Sequence, residues 1–368
     1  MKRIIDFAKS NAVMLIAALA ALITSVIVPP DSEYIDYFDF KTLTCLFCVL
    51  AVVCALKNIR FFYTVAKAIV RKFKNARAAI LALVYITFIG SMLIANDMAL
   101  LTFLPLGYFI LQTTGKEKDM AFTFIMQTIA ANLGGMLTPF GNPQNLYLYT
   151  KFNIPDLEFM RIMLPPFILS ITLITVLCLV FVKPEPLLIE EKPASLPVPR
   201  LTVYLVLFAV AILIVFRGIP YQIGLVLIPL TLLFMDRQAL RDVDYGLLLT
   251  FVFFFIFSGN MARIEAVREF FSSLLVKDTL LVSAVSCQFI SNVPSAILLS
   301  QFTENYRELL LGVNIGGVGT LISSLASLIT FREYSKHDRA HTMGYVLKFL
   351  IVNLAFLATL VVFCELIK

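Results

Sequence analysis

Long apolar runs with almost no charge recur along the whole chain of 368 residues. About 20 apolar residues in a helix cross the roughly 30 Å of hydrocarbon in a bilayer, so runs of this kind are long enough to span a membrane. The chain is 60% hydrophobic and only 15% charged, which is far from the balance of a soluble domain. Membrane β-strands would alternate apolar and polar residues, and these runs do not. The pattern therefore predicts an all-α polytopic membrane protein.

The apolar segments predict about nine transmembrane helices, together with two re-entrant hairpins and two discontinuous helices. We place the hairpins at 78–114 and 279–303, and the discontinuous helices at 119–150 and 306–331. The first apolar run follows three basic residues but exceeds the length of a signal-peptide core, so we interpret it as a retained span. The segments lie at about 11–29, 40–56, 78–95, 98–114, 119–150, 157–182, 200–217, 219–235, 245–262, 279–290, 293–303, 306–331 and 343–367.

The charges of the loops predict the orientation of the chain. The stretch 57–77 carries seven basic residues on an amphipathic pattern, whereas 30–39 carries four acids and no base. Basic loops stay in the cytoplasm, which places the N-terminus, 57–77 and the loop 331–341 inside. Counting nine spans then places the linker 183–199 inside and the C-terminus outside. We expect a multi-pass protein of the cell membrane, in bacteria the inner membrane.

The two halves of the chain resemble each other. The stretch NLGGMLTPFGNPQNL, which begins at Asn132, aligns with NIGGVGTLISSLASL, which begins at Asn314. Each follows an asparagine-containing turn, AND at 95–97 in the first half and SNVPS at 291–295 in the second. Five predicted spans separate the starts of the two repeats, and an odd number turns the second repeat upside down. This arrangement is typical of the inverted repeats of secondary transporters.

The repeat divides the chain into a first inverted repeat at 1–182, a cytoplasmic linker at 183–199, and a second half at 200–368 that holds a linking span and the second repeat. Lipid cannot satisfy the free amides and carbonyls of a broken helix, so such breaks persist only where they line a cavity. Helix N-termini favour anions, and C-terminal carbonyls favour cations. We therefore expect the two hairpin tips and the two breaks to converge on one site.

Polar residues at the hairpin tips are candidates for that site. Asp97 follows an apolar run, and a carboxylate at membrane depth is a functional candidate by default, here for a cation or a proton. The alternative is that Asp97 caps the second arm of its hairpin. Asn96 and Asn292 occupy matching positions, and their amides can donate to an oxyanion or accept a cation. Their alternative role is to form the turn.

The two breaks supply small and polar residues. Pro143 removes an N–H donor and stops the preceding helix. For the paired glycines, Gly134–Gly135 and Gly316–Gly317, we expect close helix packing rather than ligand binding. The polar candidates at the breaks are Gly141, Asn142 and Asn145 in the first half, aligned with Ser323, Ser324 and Ser327 in the second.

The inventory of side chains argues against several functional classes. The two histidines, His337 and His341, lie in one polar loop, so we expect no histidine-based metal or catalytic site at membrane depth, no enzyme activity and no cofactor. All six cysteines fall inside apolar runs, which favours a role as small hydrophobic residues. The net charge of +6 comes mainly from loops and indicates orientation in the membrane rather than binding of nucleic acid.

Three motifs together resemble the ion transporter superfamily. These citrate-transporter-like permeases include divalent anion:sodium symporters, arsenite pump membrane subunits and a sodium/proton antiporter branch. The motifs are AND with Pro105 nine residues after its asparagine, NLGGMLTPFGNPQN, and SNVPS, and the resemblance covers nearly the whole chain. It implies two inverted repeats, a homodimer formed through a scaffold domain, and elevator-type movement of a transport domain.

The hairpin tips differ from those of the symporter branch, which carry Ser-Asn-Thr. Here the first tip is Ala95-Asn96-Asp97 and the second, 291–293, is Ser-Asn-Val, so the asparagine alone is kept at both. An Asn-Asp pair is more similar to the arsenite and antiporter branches. The coupling ion and the substrate therefore stay open at this point.

The function predicted from these observations is secondary active transport of a small anion, either a di- or tricarboxylate or an inorganic oxyanion, coupled to sodium or protons. A sodium/proton antiporter and an arsenite or antimonite efflux permease are the alternatives. The expected partners are the anion, a coupling cation such as a sodium ion, the lipid bilayer and a second copy of the chain. The expected substrate-binding residues are Asn96, Asn142, Asn145, Ser291, Asn292, Ser323 and Ser324, and the expected cation-binding residues are Asn96, Asp97, Gly141 and Asn292.

Overall fold

The computed structural model describes residues 11–186 and 196–368, and within these ranges the chain is helical, with no β-strand. The basic residues among 1–10 and the middle of the predicted linker, 187–195, lie outside the described residues. The α-helices are, in order, α1 (Ala12–Ile27), α2 (Phe40–Asn58), α3 (Phe61–Val70), α4 (Ala76–Ile94), α5 (Asn96–Thr113), α6 (Met120–Gly134), α7 (Pro143–Lys151), α8 (Asp156–Phe181), α9 (Val198–Val215), α10 (Tyr221–Met235), α11 (Arg237–Arg241), α12 (Tyr245–Arg263), α13 (Glu265–Lys277), α14 (Thr279–Ile290), α15 (Asn292–Leu299), α16 (Tyr306–Ile315), α17 (Leu325–His337) and α18 (Thr342–Ile367).

Seven helical segments of the described chain are long and apolar enough to cross a bilayer, which confirms the prediction of an all-α polytopic membrane protein. They include α4, which the sequence placed in a hairpin, whereas α1 and α10 are apolar but have only 16 and 15 residues. The predicted number of nine spans stays a prediction. The seven segments are Phe40–Asn58, Ala76–Ile94, Glu117–Leu137, Asp156–Phe181, Val198–Val215, Arg237–Arg263 and Thr342–Ile367.

Burial separates an inner group of helices from an outer one. The most apolar stretches of α2 and of Glu117–Leu137 are 72% and 83% buried inside the protein, but those of α8 and α18 are each only 22% buried. The outer helices direct large apolar side chains such as Val176 and Leu347 away from the protein. A bilayer solvates such side chains, so α8 and α18 belong at the lipid-facing surface.

The order of helices repeats along the chain. Helices α2 to α8 and α12 to α18 each run as a long helix, a shorter helix, two hairpin arms, two halves of a broken helix and a long closing helix. The lengths agree at both ends, since α2 and α12 each have 19 residues and α8 and α18 each have 26. Helix α1 precedes the first set, and α9 to α11 join the two sets. The division into domains and the inverted orientation of the second set stay predictions.

Each hairpin turns at one residue with a left-handed backbone. Ala95 has φ of 63° and Ser291 has φ of 73°, a region that residues with a Cβ rarely adopt. The arms then fold back on each other: Ser286 and Ser295 share a hydrogen bond of 2.9 Å in the second hairpin, and Gly90 lies against the ring of Phe103 in the first. The two helical hairpins thus coincide with the predicted segments 78–114 and 279–303.

Both predicted discontinuous helices are interrupted. Helix α6 ends at Gly134, a 3-10 turn follows at Gly135–Leu137, and α7 begins at Pro143, where the missing N–H of proline is not needed. In the second half the break lies between α16 and α17. Ser324 caps α17, since its Oγ accepts from the backbone N–H of Ser327 at 3.2 Å.

Two glycines allow the broken helices to approach the hairpins. A Cβ atom on Gly134 would lie 2.1 Å from the backbone oxygen of Phe88 in α4. A Cβ atom on Gly316 would lie 2.9 Å from the Cα of Ala284 in α14. Such distances leave room for hydrogen alone. The packing role predicted for these glycines is confirmed, and the close approach is the same in both halves.

The described end of the linker docks at the open end of the first hairpin. The Arg77 side chain donates from Nε to the carbonyl oxygen of Val182 at 2.6 Å. Lys116 and Lys118, which follow α5, both pair with Glu185, and the Lys118 Nζ to Glu185 Oε1 distance is 2.9 Å. These two hydrogen bonds lower the pKa of the Glu185 carboxyl to about 2. The linker and the open end of the hairpin therefore lie on the same side of the molecule.

Candidate functional site

The tip of each hairpin is bonded to the break of the same half through equivalent atoms. The backbone N–H of Asn96 donates to the carbonyl oxygen of Gly141 at 3.2 Å. The backbone N–H of Asn292 donates to the carbonyl oxygen of Ser323 at 3.0 Å. Gly141 and Ser323 are aligned in the sequence repeat, so the tips and breaks predicted to converge do lie together in each half.

The two tip asparagines make the same local contact. The Oδ1 of Asn96 accepts from the backbone N–H of Asp97 at 2.9 Å, and the Oδ1 of Asn292 accepts from that of Val293 at 2.9 Å. The Nδ2 of Asn96 also donates to Oδ1 of Asn132 at 3.1 Å. The turn-forming role therefore accounts for the amide oxygens of both asparagines.

Asp97 lies in the first turn of α5 and does not cap the helix. The cap position is Ala95, and no side chain caps α5. The Oδ1 atom of Asp97 is buried, and no described residue donates a hydrogen bond to it. A buried, unpaired carboxylate oxygen is costly unless a proton or a cation neutralises the group. Asp97 therefore does not have the capping role that was the alternative to a role with a cation or a proton.

A cavity of about 400 Å³ lies between the two hairpin tips. Asn96 and Asp97 line it from the first tip, Ser291 and Asn292 from the second, and Gln144 from α7. Helices α1 and α12 supply apolar walls. The volume falls in the range of about 300–1,000 Å³ that is usual for small-molecule sites. The cavity can therefore hold a small organic or inorganic ligand in contact with both tips.

Besides α1, four helices that belong to the hairpins and the breaks begin at the wall of this cavity. Their first residues are Asn96 in α5, Pro143 in α7, Asn292 in α15 and Leu325 in α17, and all four line it. The first N–H groups of a helix have no partner inside the helix, and the N-terminus carries roughly half a positive charge. The convergence of four N-termini makes the cavity electrostatically suited to an anion.

The two breaks contact each other through reciprocal hydrogen bonds. The Nδ2 of Asn132, near the end of α6, donates to Oγ of Ser324 at 3.0 Å. In the opposite direction, the Nδ2 of Asn142 donates to Oδ1 of Asn314, near the end of α16, at 3.3 Å. Asn132 aligns with Asn314 and Asn142 with Ser324, so one contact is the counterpart of the other. The two breaks are therefore joined by two hydrogen bonds between aligned positions.

The predicted substrate residues at the breaks hold the backbone and do not line the cavity. Asn142, Asn145, Ser323 and Ser324 are each at most 1% exposed, and none belongs to the cavity wall. The Nδ2 of Asn145 donates to the carbonyl oxygens of Gly135 and Met136, both at 3.2 Å. The role of these four residues in binding substrate stays a prediction, and their visible role is to fix the shape of the breaks.

The sequence reasoning missed five polar residues at the cavity: Asn11, Gln144, Asp244, Thr250 and Arg332. Gln144 is 1% exposed and its Oε1 has no hydrogen-bond partner among the described residues. It lies inside the GNPQN motif, so its place next to Asn142 was a usable signal. The others carried no such signal. Asn11 and Asp244 precede apolar helices, and Thr250 lies inside one; Arg332 falls in the predicted basic loop 331–341, although the structure places it in α17.

The part of the chain that the structure describes contains no cluster of three or more His, Cys, Asp or Glu side chains. A cation at the hairpin tips would meet one carboxylate, from Asp97, together with amide and backbone oxygens. The carbonyl oxygen of Gly141, predicted as a cation ligand, already accepts from Asn96. All six cysteines are buried with free thiols, which confirms their interpretation as small hydrophobic residues.

Two of the known proteins similar to this chain are named as transporters, and a third is named as an inner membrane protein. An uncharacterized transporter of Methanocaldococcus jannaschii is 33% identical over 313 residues, which are 84% of this chain and 85% of that protein. The inner membrane protein YbiR of Escherichia coli is 27% identical over 304 residues, 80% of each chain. The silicon efflux transporter LSI3 of Oryza sativa subsp. japonica is 26% identical over 168 residues, 44% of this chain and 34% of that protein.

The family model described as citrate transporter matches residues 4–305, which include both hairpins and the first break. The match covers well over half of the chain, and it agrees with the resemblance of the AND, GNPQN and SNVPS motifs. The chain therefore belongs to the citrate transporter family.

Proposed function

We propose that this family member is a secondary active transporter that moves a small anion across the membrane together with sodium ions or protons. The observation that carries the proposal is the cavity of about 400 Å³ at which four helix N-termini and both hairpin tips meet. Helix N-termini stabilise an anion without a fully charged side chain. A di- or tricarboxylate or an inorganic oxyanion carries the negative charge that these helix N-termini stabilise.

The polar side chains at the two hairpin tips and at the breaks have roles in this proposal. The side chains that contact the anion are those of Asn96, Gln144, Ser291 and Asn292. The unpartnered Oε1 of Gln144 is an acceptor, so it can accept from a protonated oxygen of the substrate while Nε2 donates to Oδ1 of Asn314 at 3.4 Å. The residues that position the helix N-termini behind the substrate are Asn142, Asn145, Ser323 and Ser324.

Asp97 is the proposed residue for the coupling cation, together with Asn96, the backbone at Gly141, and Asn292. Its carboxylate borders the same cavity as the substrate, so it repels an anion until a sodium ion or a proton neutralises it. Occupation of the cation site then favours occupation of the anion site, and by linkage the reverse is also true. This mutual dependence is what symport requires.

Alternating access would occur by movement of the hairpins and broken helices as one unit. The reciprocal contacts between Asn132 and Ser324 and between Asn142 and Asn314 tie the two breaks together, which supports movement as a single body. We propose an elevator-type displacement of this unit against the remaining helices, within a homodimer.

Transport in proteoliposomes tests the proposal. Labelled citrate, succinate and phosphate are offered under an inward sodium gradient or proton gradient, with wild type, Asp97→Asn and the loop variant Asp119→Asn. We expect one anion to accumulate in a gradient-dependent way, at least tenfold less with Asp97→Asn and equally with Asp119→Asn. Gradient-driven uptake that survives in Asp97→Asn would show that the coupling role is wrong.

A sodium/proton antiporter is a second candidate, favoured by the unpartnered Oδ1 of Asp97 at the cavity. One carboxylate that alternates between a proton and a sodium ion suffices for exchange, with no anion bound. In the same proteoliposomes, a sodium gradient alone would then change the internal pH. That result, with no accumulation of any anion, would replace symport by antiport.

Efflux of a small oxyacid is a third candidate, supported by similarity to a relative named as a silicon efflux transporter. Arsenite, antimonite and silicic acid are the compounds to test. If the protein exports arsenite, cells that lack their own efflux system and express this chain will grow at higher arsenite concentrations than cells that express Asp97→Asn. Equal sensitivity would remove this candidate.

A further inference from the structure

A second cavity, of about 430 Å³, lies beside the first hairpin, where α2 ends and α3 begins. Its wall includes Lys57 and Arg60 at one end and Phe62, Leu101 and Pro105 at the other. None of these residues lines the cavity between the hairpin tips. The proposed transport function uses neither this cavity nor its two basic residues.

The basic end of the second cavity lacks a partner of opposite charge. Lys57 and Arg60 are exposed, and neither forms an ion pair with a carboxylate among the described residues. Arg60 has φ of 57°, in the left-handed region, and turns the chain from α2 into α3. Two cations are thus held at one wall of a cavity, which suits a group with two or more anionic oxygens.

The other end of the same cavity is apolar. Leu101 and Pro105 are exposed, four residues apart on α5, so they lie on one face of that helix. Phe62, in the first turn of α3, completes this wall. The cavity therefore offers charge at one end and apolar surface at the other. A small soluble anion would use only the first.

Helix α3 places the cavity at the membrane surface. Val65 and Ile69, four residues apart, are exposed apolar residues, while Arg71 and Lys72 follow as exposed bases. An apolar face next to a basic one is typical of a helix that lies in the interface between lipid and water. The Nζ of Lys67 lies 5.1 Å from the ring centre of Phe109, so α3 is held against α5 of the hairpin.

We propose that this cavity binds an anionic phospholipid, with Lys57 and Arg60 at the headgroup phosphate and the apolar wall against the glycerol and the first acyl carbons. Basic pockets between membrane helices bind anionic headgroups by this combination of charge and depth. Because the wall comes from α2, α3 and α5, the bound lipid bridges the first hairpin and the helices before it.

The binding is measured on the purified full-length chain in a neutral detergent, by native mass spectrometry and by thermal unfolding. The probes are dioleoyl phosphatidylglycerol, dioleoyl phosphatidylcholine and inorganic phosphate. The test variant is Lys57→Ala with Arg60→Gln. The matched control is Arg71→Ala with Lys72→Gln, which removes the same charge from the same surface outside the cavity.

We expect phosphatidylglycerol to form a defined one-to-one adduct and to raise the unfolding temperature of the wild type, with no such effect from phosphatidylcholine. Each basic residue near an anionic lipid changes affinity by about fivefold, so the test variant should bind about thirtyfold more weakly. The control should bind phosphatidylglycerol within about twofold of the wild type, because its substituted residues do not line the cavity.

Three results would overturn the proposal: an unchanged adduct in the test variant, an equal loss in the control, or equal stabilisation by inorganic phosphate. Equal loss would indicate diffuse surface charge, and stabilisation by phosphate would indicate a soluble anion site. The double variant must purify as a single species for this comparison. If it does not, a photo-crosslinker attached to Thr102→Cys, with the rest of the cavity native, tests the proposal instead. Crosslinking to phosphatidylglycerol in preference to phosphatidylcholine is then required.

Discussion

Buried polar residues at the site fall into two groups that differ in whether their hydrogen bonds are complete. Asn145 uses its amide on backbone carbonyls of the first break and on Asn314, whose Nδ2 donates to Asn145 Oδ1 at 2.6 Å. Asp97 and Gln144 each leave a buried oxygen without a partner among the described residues. We expect changes in the first group to affect folding, and changes in the second to affect ligand binding.

Two neighbouring residues of α7 give a direct comparison. Asn145→Ala removes several buried hydrogen bonds and leaves carbonyls unsatisfied, so it should lower the unfolding free energy by about 1–3 kcal/mol or more. Gln144→Ala should change stability far less but weaken the binding of the transported ligand. Thermal unfolding with and without ligand measures both effects. A Gln144→Ala variant as unstable as Asn145→Ala would place Gln144 in the first group.

The close approach at Gly134 predicts a large effect from a single methyl group. Gly134→Ala would place its Cβ 2.1 Å from a backbone oxygen of α4, which has no room to move aside, so stability should fall by about 1–3 kcal/mol. Gly344 lies in α18, and a Cβ atom added there would have no other atom within 4 Å, so Gly344→Ala should be neutral or slightly stabilising. The unfolding temperatures of the two variants are compared. If they are equal, the packing role of Gly134 is wrong.

At the residue scale, the sequence locates what lies in a motif and misses what the fold brings from elsewhere. Asn96, Ser291 and Asn292 were identifiable because an asparagine recurs at the same place in two halves, and Asp97 because it is an acid after an apolar run. All four line the cavity. Arg332 reaches the same cavity only because α17 starts there, and a contact between distant helices leaves no periodic trace in the sequence.

At the scale of elements, each break forms hydrogen bonds with a hairpin tip and with the other break. Each hairpin tip bonds to the break of its own half, through Asn96 to Gly141 and through Asn292 to Ser323. Each break then bonds to the break of the other half through an asparagine near the end of α6 or α16. The hairpins and breaks around the cavity are therefore joined by hydrogen bonds between elements that are far apart in the sequence.

The docking of the linker predicts a dependence of stability on pH. The pKa of Glu185 is lowered from 4.5 to about 2 by hydrogen bonds from Lys116 and Lys118, so this contact is fully present above pH 4.5 and is lost as the pH falls through about 2. Glu185→Gln should be less stable than the wild type at pH 7, and the difference should shrink below pH 4.5. Thermal unfolding across this range measures it.

The control for that experiment is Glu117→Gln, which alters an exposed acid in the same loop region as the two lysines. This variant should follow the wild type at every pH. If the unfolding temperatures of the wild type and Glu185→Gln differ by the same amount from pH 7 to pH 3, the role assigned to the Glu185 carboxylate is wrong.

At the scale of the whole molecule, the inverted orientation of the two helix sets can be tested by labelling. Arg71 follows α3 and Lys277 ends α13, the corresponding helix of the second set, and both are exposed. If the sets are inverted, Arg71→Cys will react with an impermeant maleimide only from the cytoplasmic face and Lys277→Cys only from the outer face. The native cysteines are buried, which keeps the background low. Reaction of both from one face would mean that the sets are parallel.

Much of the architecture was predictable because apolar length and interruption are strong local signals. The first break was predicted from proline, glycine and asparagine in GNPQN, and α7 does begin at Pro143. The second break was predicted from its alignment with the first. The number of spans was less accessible, because α4 has the length of a span although it forms one arm of a hairpin. Length alone does not distinguish a helix that crosses the bilayer from one that turns back inside it.

The two hairpin tips have matching backbones but unequal charge, since Val293 in the second half stands where Asp97 stands in the first. In the proposed symport, the Asp97 carboxylate at the first tip would be neutralised once in each transport cycle. Whether current flows then depends on the valence of the anion, and any imbalance is acted on by the membrane voltage at about 2.3 kcal/mol per charge for each 100 mV. A monovalent anion with one cation would be carried without current, and a divalent anion would be driven outward by a cell interior that is negative.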